Sequence, residues 1–99
     1  MKEVFIYDAI RSARTKAKPS GGLHELTPPE LLKPLYSALA SRNQLDPSRI
    51  AEIILGCVTQ HGEQAANIAK TSALYAGWPQ AIAGLTVHRF CSSSVDAIA

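Results

Sequence analysis

The sequence has little of several features that would place it in a specialised class of proteins. Two cysteines among 99 residues are too few for a disulfide framework. The formal net charge is only +2, which indicates neither a nucleic-acid partner nor an acidic membrane surface. No apolar run is long enough for a signal peptide or a membrane span. We therefore expect a reduced, cytoplasmic protein with no nucleic-acid and no membrane partner.

Four of the ten basic residues lie close together near the N-terminus, at Arg11, Arg14, Lys16 and Lys18. No aromatic side chain is interleaved with them, so stacked bases would find no platform there. This pattern favours a solvated loop, and contact with phosphate is the less favoured alternative.

What is present is typical of a globular protein and not of a disordered one: 46% of the residues are hydrophobic and 18% are charged. Three apolar runs, at 3–13, 52–58 and 83–90, predict strands, the first centred on the fully apolar Val4–Tyr7. Helices are predicted at 27–43, 65–76 and 92–99, with a short turn after Asp46-Pro47. Thr27-Pro28-Pro29-Glu30 is a capping box, and Gly77 stands where a left-handed helix end is expected.

The order β, α, β, α, β, α predicts a largely parallel sheet with right-handed crossovers. Three strands leave at least one sheet edge open, and the last helix has no stop signal. We therefore expect residues 1–99 to form an incomplete layered domain, with three strands and two to three helices.

Cys91 ends an apolar strand and precedes three small residues, Ser92, Ser93 and Ser94. Ligands of open parallel sheets bind at the carboxyl ends of the strands, where the next helix begins. A thiolate there would be favoured by the helix N-terminus, and the serine hydroxyls could cap the first N–H groups. From the residues alone, both a nucleophile on a strand-to-helix turn and an inert core thiol remain open.

Cys57 lies within an apolar run, which predicts a packed thiol. A zinc site is a rival interpretation, because Cys57-x-x-x-His61 and His88-x-x-Cys91 form two ligand pairs. It is disfavoured, since neither pair lies on a glycine-rich knuckle and extended chain separates His88 from Cys91 by about 10 Å. We therefore predict no metal site. His24 has no partner in sequence and is assigned to a surface loop.

The segment VHRFCSSSVDAIA resembles the nucleophile segment of thiolases, commonly written VNRFCSSGLQAIA. GCVTQHGEQAANIAKTSALYAGWP is similar to the loop and helix before it, and DAIRSARTKAKPSGGL to the opening strand and loop. The resemblance covers nearly the whole chain and implies a thiolase-like domain, residues 1–99 being its N-terminal part and ending just after the nucleophile turn.

The resemblance implies an acyltransferase that uses acyl-CoA and coenzyme A as substrates and needs no permanently bound cofactor. Its reaction is thiolytic cleavage of a 3-ketoacyl-CoA, or the reverse Claisen condensation, as in fatty acid metabolism. Cys91 would be the acyl-thioester nucleophile, with its backbone amide in an oxyanion hole. The family is usually a homodimer or homotetramer.

In the family, the histidine that activates the nucleophile and a second cysteine belong to later segments. We therefore expect the isolated 99-residue chain to be inactive. An alternative function is a non-enzymatic interaction or dimerisation module derived from a thiolase. Locally, His88 replaces an asparagine and Ser94 a glycine, while Val95 and Asp96 replace leucine and glutamine. Ser94 would crowd the turn if its position required a positive φ.

Overall fold

The computed structural model describes residues 2–99, which contain two strands and three α-helices joined by loops. Two single turns of 3₁₀ helix, Pro47–Arg49 and Gly62–Gln64, lie in the connections. In the described residues no helix is both long and apolar enough to cross a bilayer. The elements in chain order are α1 (Pro28–Asn43), β1 (Glu52–Gly56), α2 (Ile68–Tyr75), β2 (Ala83–Val87) and α3 (Ser93–Ile98).

The two strands are parallel, with Glu52 opposite Ala83 and Gly56 opposite Val87. Helix α2 crosses one face of this sheet, since the Ala69 N–H donates to Thr86 Oγ1 at 3.3 Å. Helix α3 covers the carboxyl end of the other face, where its backbone lies against Gly56. The predicted incomplete α/β class is thus confirmed, with a sheet of two strands among the described residues and helices on both of its faces.

Helix α1 begins where the capping box predicts. The Thr27 hydroxyl accepts the Glu30 N–H at 3.4 Å, and a Glu30 carboxylate oxygen accepts the Thr27 N–H at 2.7 Å. The pKa of the Glu30 carboxyl lies below its ordinary value. The main cause is the hydrogen bond from the Thr27 backbone N–H, and the interaction of the carboxylate with the Thr27 hydroxyl is the second. The helix ends at Asn43, as predicted, and Gln44 follows in the left-handed conformation.

Helix α2 begins three residues later than predicted, because the backbone before it is not helical. Ala66 has φ +57°, and Asn67 is the N-cap, its Oδ1 accepting the Lys70 N–H at 3.3 Å. The same oxygen accepts the Thr86 hydroxyl at 2.8 Å, and Asn67 Nδ2 donates to the Gly84 carbonyl at 2.7 Å. One amide therefore both starts α2 and joins it to β2.

The core lies between α1, α2 and the loop before β2. Its fully buried members are apolar or small: Ile68, Ala69, Ser72, Ala73 and Ile82, with Tyr36 8% exposed. Tyr36 stacks on Trp78 with ring centroids 4.9 Å apart, and its hydroxyl hydrogen-bonds to Ser72 Oγ at 2.8 Å. Burial raises the pKa of Tyr36, so the neutral phenol is favoured.

The N-terminal strand predicted at 3–13 is not formed among the described residues. Val4–Tyr7 are between 68 and 90% exposed, and no backbone ladder joins them to β1 or β2. The segment is instead held by Asp8, whose carboxylate accepts from Arg42 at 3.1 Å and from Asn43 at 2.9 Å. An apolar composition favours burial, but a strand also needs a backbone partner, and here it has none.

Candidate functional site

Cys91 lies between the end of β2 at Val87 and the start of α3 at Ser93. Its thiol is free and its side chain is exposed. The predicted strand 83–90 is shorter than expected, so three residues of loop, His88, Arg89 and Phe90, separate β2 from the cysteine. Cys91 is therefore a surface thiol at the carboxyl edge of the parallel sheet and not a core residue.

A set of short hydrogen bonds closes the chain around Cys91. The Ser92 N–H donates to the Arg89 carbonyl at 2.9 Å, and the Ser93 N–H to the Phe90 carbonyl at 3.2 Å. Ser93 Oγ accepts the Arg89 N–H at 2.8 Å and donates to the Phe90 carbonyl at 2.7 Å. Within residues 2–99, the Cys91 N–H donates no hydrogen bond to a backbone or side-chain acceptor.

The prediction that the serine hydroxyls cap α3 is therefore wrong. Ser92 is the N-cap residue, but its side chain makes no capping hydrogen bond. The Ser93 hydroxyl instead stabilises the turn. Ser93 is 4% exposed, and its hydroxyl bonds the backbone of the loop before Cys91. This happens because a hydroxyl at the start of the helix can reach the Arg89 N–H, which the end of β2 leaves unpaired.

The strained residue of the turn is Phe90. It has φ +43°, in the left-handed region that L-residues other than glycine, asparagine and aspartate rarely adopt. Ser94 would crowd the turn only if it needed a positive φ, and it is part of α3 and does not have one. The local departure from glycine at 94 is therefore accommodated, since a helical backbone accepts serine.

Gly56, the last residue of β1, makes room for this turn. A Cβ on Gly56 would lie 2.6 Å from the Ser93 carbonyl carbon and 2.6 Å from the Ser94 nitrogen. Real Cβ atoms essentially never approach so closely, and backbone atoms cannot rotate away. The missing side chain lets the start of α3 rest directly on β1, which fixes where Cys91 stands above the sheet.

Cys57 also differs from its prediction. It lies just past the end of β1, and its N–H donates to the Val87 carbonyl at 3.0 Å. Its side chain is half-buried and lines a cavity of about 210 Å³ with Leu31, Leu32 and Ile68 among its walls. Because the carboxyl ends of parallel strands meet at one edge, both free cysteines follow that edge.

The titratable and basic side chains nearest Cys91 in sequence, His88 and Arg89, are exposed, whereas Asp96 is half-buried. Arg89 forms an ion pair with Asp96 of α3, and the Arg89 side chain is 72% exposed, so the pair stabilises little. His88 is exposed and contacts Phe90 edge to face, while His24 is exposed in the first loop, as predicted. Among residues 2–99, no three His, Cys, Asp or Glu side chains are grouped to hold a metal ion.

Cys91 is an exposed thiol at the carboxyl edge of a parallel sheet, and it lies on a strained turn before a helix. These features are those of an α/β protein with a candidate cysteine nucleophile. The model of the thiolase N-terminal domain matches residues 4–99, almost the entire chain. The chain therefore belongs to the thiolase family, as part of its N-terminal domain.

Known proteins similar to this chain carry consistent names. A 3-ketoacyl-CoA thiolase of Acinetobacter baumannii is 41% identical over 97 residues, covering 98% of this chain and 25% of the relative. The steroid 3-ketoacyl-CoA thiolase FadA6 of Mycobacterium tuberculosis is 40% identical over 98 residues, covering 99% and 24%. The chain thus spans about a quarter of the length of these curated relatives.

A solved structure agrees with the fold. The crystal structure of the Bacillus anthracis acetyl-CoA acetyltransferase superposes with a TM-score of 0.68 at 36% identity, covering 78% of this chain and 21% of that chain. Its name and those of the relatives all refer to acyl-CoA compounds. The acyl groups they name differ.

Three residues that shape the turn, two of them in it and one in β1, are not identified by the sequence alone. The sequence predicts Ser93 as one of three helix-capping serines, Phe90 as part of a strand, and Gly56 as part of an apolar run. Only Gly56 carried a signal, since glycine inside a strand often marks close approach of another backbone. The roles of Ser93 and Phe90 depend on the packing of α3 and could not be inferred from spacing.

Proposed function

We propose that residues 1–99 form the nucleophile-bearing N-terminal part of a thiolase, with Cys91 as the acyl-accepting residue. The observation that supports this most directly is the exposed Cys91 thiol at the sheet edge, in a segment matched by the family across residues 4–99. The reaction is thiolytic cleavage of a 3-ketoacyl-CoA or the reverse Claisen condensation.

In this proposal the Cys91 thiolate attacks the thioester carbonyl carbon of an acyl-CoA. A carbon–sulfur bond forms to Cys91, the bond to the coenzyme A sulfur breaks, and coenzyme A leaves as a thiolate that takes up a proton. That sequence is the first half of the condensation. In the thiolytic direction the Cys91 thiolate instead attacks the 3-keto carbonyl carbon, the bond between C2 and C3 breaks, and acetyl-CoA leaves as an enolate that takes up a proton at C2. The acyl group then passes from Cys91 to coenzyme A.

The carbonyl oxygen gains negative charge as the sulfur adds, and a backbone N–H aimed at it stabilises that charge. The N–H of Cys91 is suited to this, since no hydrogen bond within residues 2–99 begins at it. The neighbouring N–H groups of Ser92 and Ser93 are already engaged in the turn. The proposal therefore places the Cys91 amide in the oxyanion hole.

We further propose that turnover requires segments equivalent to the remaining three quarters of the relatives. The resemblance implies that the activating histidine and the second cysteine lie there, and the proposal assigns no such role to the histidines of this chain. His88 uses its Nδ1 as an acceptor for the Phe90 N–H, and His24 and His61 are exposed in other loops. Residues 1–99 alone should show no turnover with acyl-CoA substrates.

The test is a chimera in which residues 1–99 replace the matching quarter of the Acinetobacter thiolase. We expect thiolysis of a 3-ketoacyl-CoA, and acetylation of the Cys91 peptide on incubation with acetyl-CoA. Cys91→Ser should lower kcat by about 10³-fold or more, because it removes the nucleophile. Cys57→Ser is the matched control and should keep activity within about threefold, since that thiol is half-buried. Full activity of the Cys91→Ser chimera would contradict the proposal.

A second candidate, an interaction module, is favoured by the exposed apolar segment Val4–Tyr7. An exposed apolar segment of this kind is typical of surfaces that pair with another chain. In that case a second copy of the chain would cover it, and Ile6→Ser should shift the sedimentation coefficient from dimer to monomer. An unchanged monomer in both proteins would argue against this alternative.

A further inference from the structure

The residue directly before Cys91 is held in an unfavourable conformation. Phe90 has φ +43° and its side chain is 73% exposed, so no core packing fixes the ring. A left-handed residue with a bulky side chain persists only when its surroundings hold it there. Since Phe90 and Cys91 share a peptide bond, whatever holds Phe90 also sets the direction of the Cys91 backbone.

Two side chains hold the backbone of Phe90. At its carbonyl, Ser93 Oγ donates at 2.7 Å, together with the Ser93 N–H at 3.2 Å. At its amide, the N–H donates to His88 Nδ1 at 3.2 Å. The His88 ring also meets the Phe90 ring edge to face, with centroids 4.7 Å apart. His88 therefore contacts Phe90 through both backbone and side chain.

We propose that His88 is a positioning residue for Cys91, acting by holding Phe90 in its left-handed conformation. The proposal rests on the proposed function of Cys91 as the acyl-accepting thiol. His88 need not contact the sulfur or the substrate. It acts through Phe90, whose peptide unit sets the orientation of the Cys91 N–H and thiol at the sheet edge.

A residue that replaces His88 must offer an acceptor for the Phe90 N–H to keep this support. Nδ1 accepts only in the neutral ring that carries its proton on Nε2. Asparagine at 88 could accept the same N–H, since its side chain commonly bonds the backbone two residues on. Alanine offers no acceptor and no ring. Glycine at 90 would relieve the strain of a positive φ and make the support from His88 unnecessary.

The experiment uses the 99-residue chain and two readouts, neither of which needs acyl-CoA. The ¹³Cα and ¹³Cβ chemical shifts of residue 90 report its φ. Mass spectrometry of iodoacetamide-labelled peptides gives the ratio of Cys91 to Cys57 labelling rates, Cys57 being the internal reference. The variants are H88A, H88N, F90G and H88A/F90G, and H24A is the matched control at an exposed loop histidine.

We expect H88A to move the residue 90 shifts out of the left-handed range and to change the labelling ratio at least about threefold, a margin that exceeds ordinary surface effects. H88N should restore both readouts, and H24A should leave them unchanged. In the F90G background, H88A should have no further effect on the ratio.

Three results would overturn the proposal. They are an unchanged φ in H88A, a changed φ with an unchanged labelling ratio, or an H88A effect of equal size in the F90G background. Should H88A fail to fold, two other comparisons still test the proposal. The residue 90 shifts and the labelling ratio of H88N must match those of the unmodified chain, and the labelling ratio of H88A/F90G must match that of F90G. Failure of the chimera to acetylate Cys91 would instead count against the proposed function, because labelling by iodoacetamide does not depend on it.

Discussion

Replacing Gly56 with alanine should displace α3 and with it the turn that carries Cys91. The added Cβ would stand 2.6 Å from two backbone atoms of α3 and 2.8 Å from the Ser93 carbonyl oxygen, whereas ordinary contacts begin near 3.4 Å. Helix α3 would have to withdraw from β1 by on the order of 1 Å, because backbone atoms cannot rotate out of the way.

The cost follows from this displacement. Overpacking a tight contact by one methyl group costs typically about 1–3 kcal/mol, and the shift also strains the hydrogen bonds from Ser93 to the loop before Cys91. We expect the free energy of unfolding to fall by roughly 2 kcal/mol, which is about a thirtyfold change in the folding equilibrium constant. Urea denaturation followed by circular dichroism measures it.

Gly22→Ala is the matched control, since it makes the same chemical change where the nearest atom, Thr15 Oγ1, would be 3.8 Å away. Gly22→Ala should change the free energy of unfolding by less than about 0.5 kcal/mol. If Gly56→Ala and Gly22→Ala gave the same urea midpoint and the same Cys91 labelling rate, the idea that Gly56 seats α3 would be refuted.

Three further predictions concern the helices that hold the sheet. Tyr36→Phe removes a buried hydrogen bond and should cost about 1 kcal/mol in urea denaturation, whereas Tyr75→Phe, at a 48% exposed ring, should cost nearly nothing. Because the pKa of Glu30 is lowered in the folded state, the Glu30 carboxylate stabilises the fold at pH values above its ordinary pKa of 4.5, and this stabilisation is lost as the pH falls through the lower folded-state pKa. The melting temperature should therefore fall less steeply between pH 6 and pH 3 in Glu30→Gln than in the unmodified chain. Asn67→Ala loses the α2 cap and two bonds to β2, so it should cost roughly 2–3 kcal/mol, and an unchanged unfolding curve would contradict its bridging role.

The helix boundaries that depend on local chemistry were predictable from sequence. The Thr27–Glu30 capping box, the Asp46-Pro47 turn and the left-handed Gly77 all occur where their residues indicate. Each depends on atoms a few residues apart, so no tertiary contact is needed to decide it. The position of Cys91 between a strand and a helix was predictable for the same reason.

Features that need a partner distant in sequence were not predictable. The apolar Val4–Tyr7 has the composition of a buried strand, yet no ladder joins it within the described residues, because pairing depends on another backbone and not on composition. Cys57 lies just past the end of β1, because the pairing with β2 ends where Gly56 faces Val87.

By itself, the sequence determined the order of helices and strands from residue 27 onward, the N-terminal cap of α1, and the placement of a cysteine after a strand, in a pattern that resembles thiolases. The tertiary structure decided which backbone is strained and what supports it. Phe90 is left-handed because Ser93 and His88 hold its two ends, and α3 can approach β1 because Gly56 has no side chain. These contacts depend on how helix and sheet meet in space, which residue spacing along the chain does not encode.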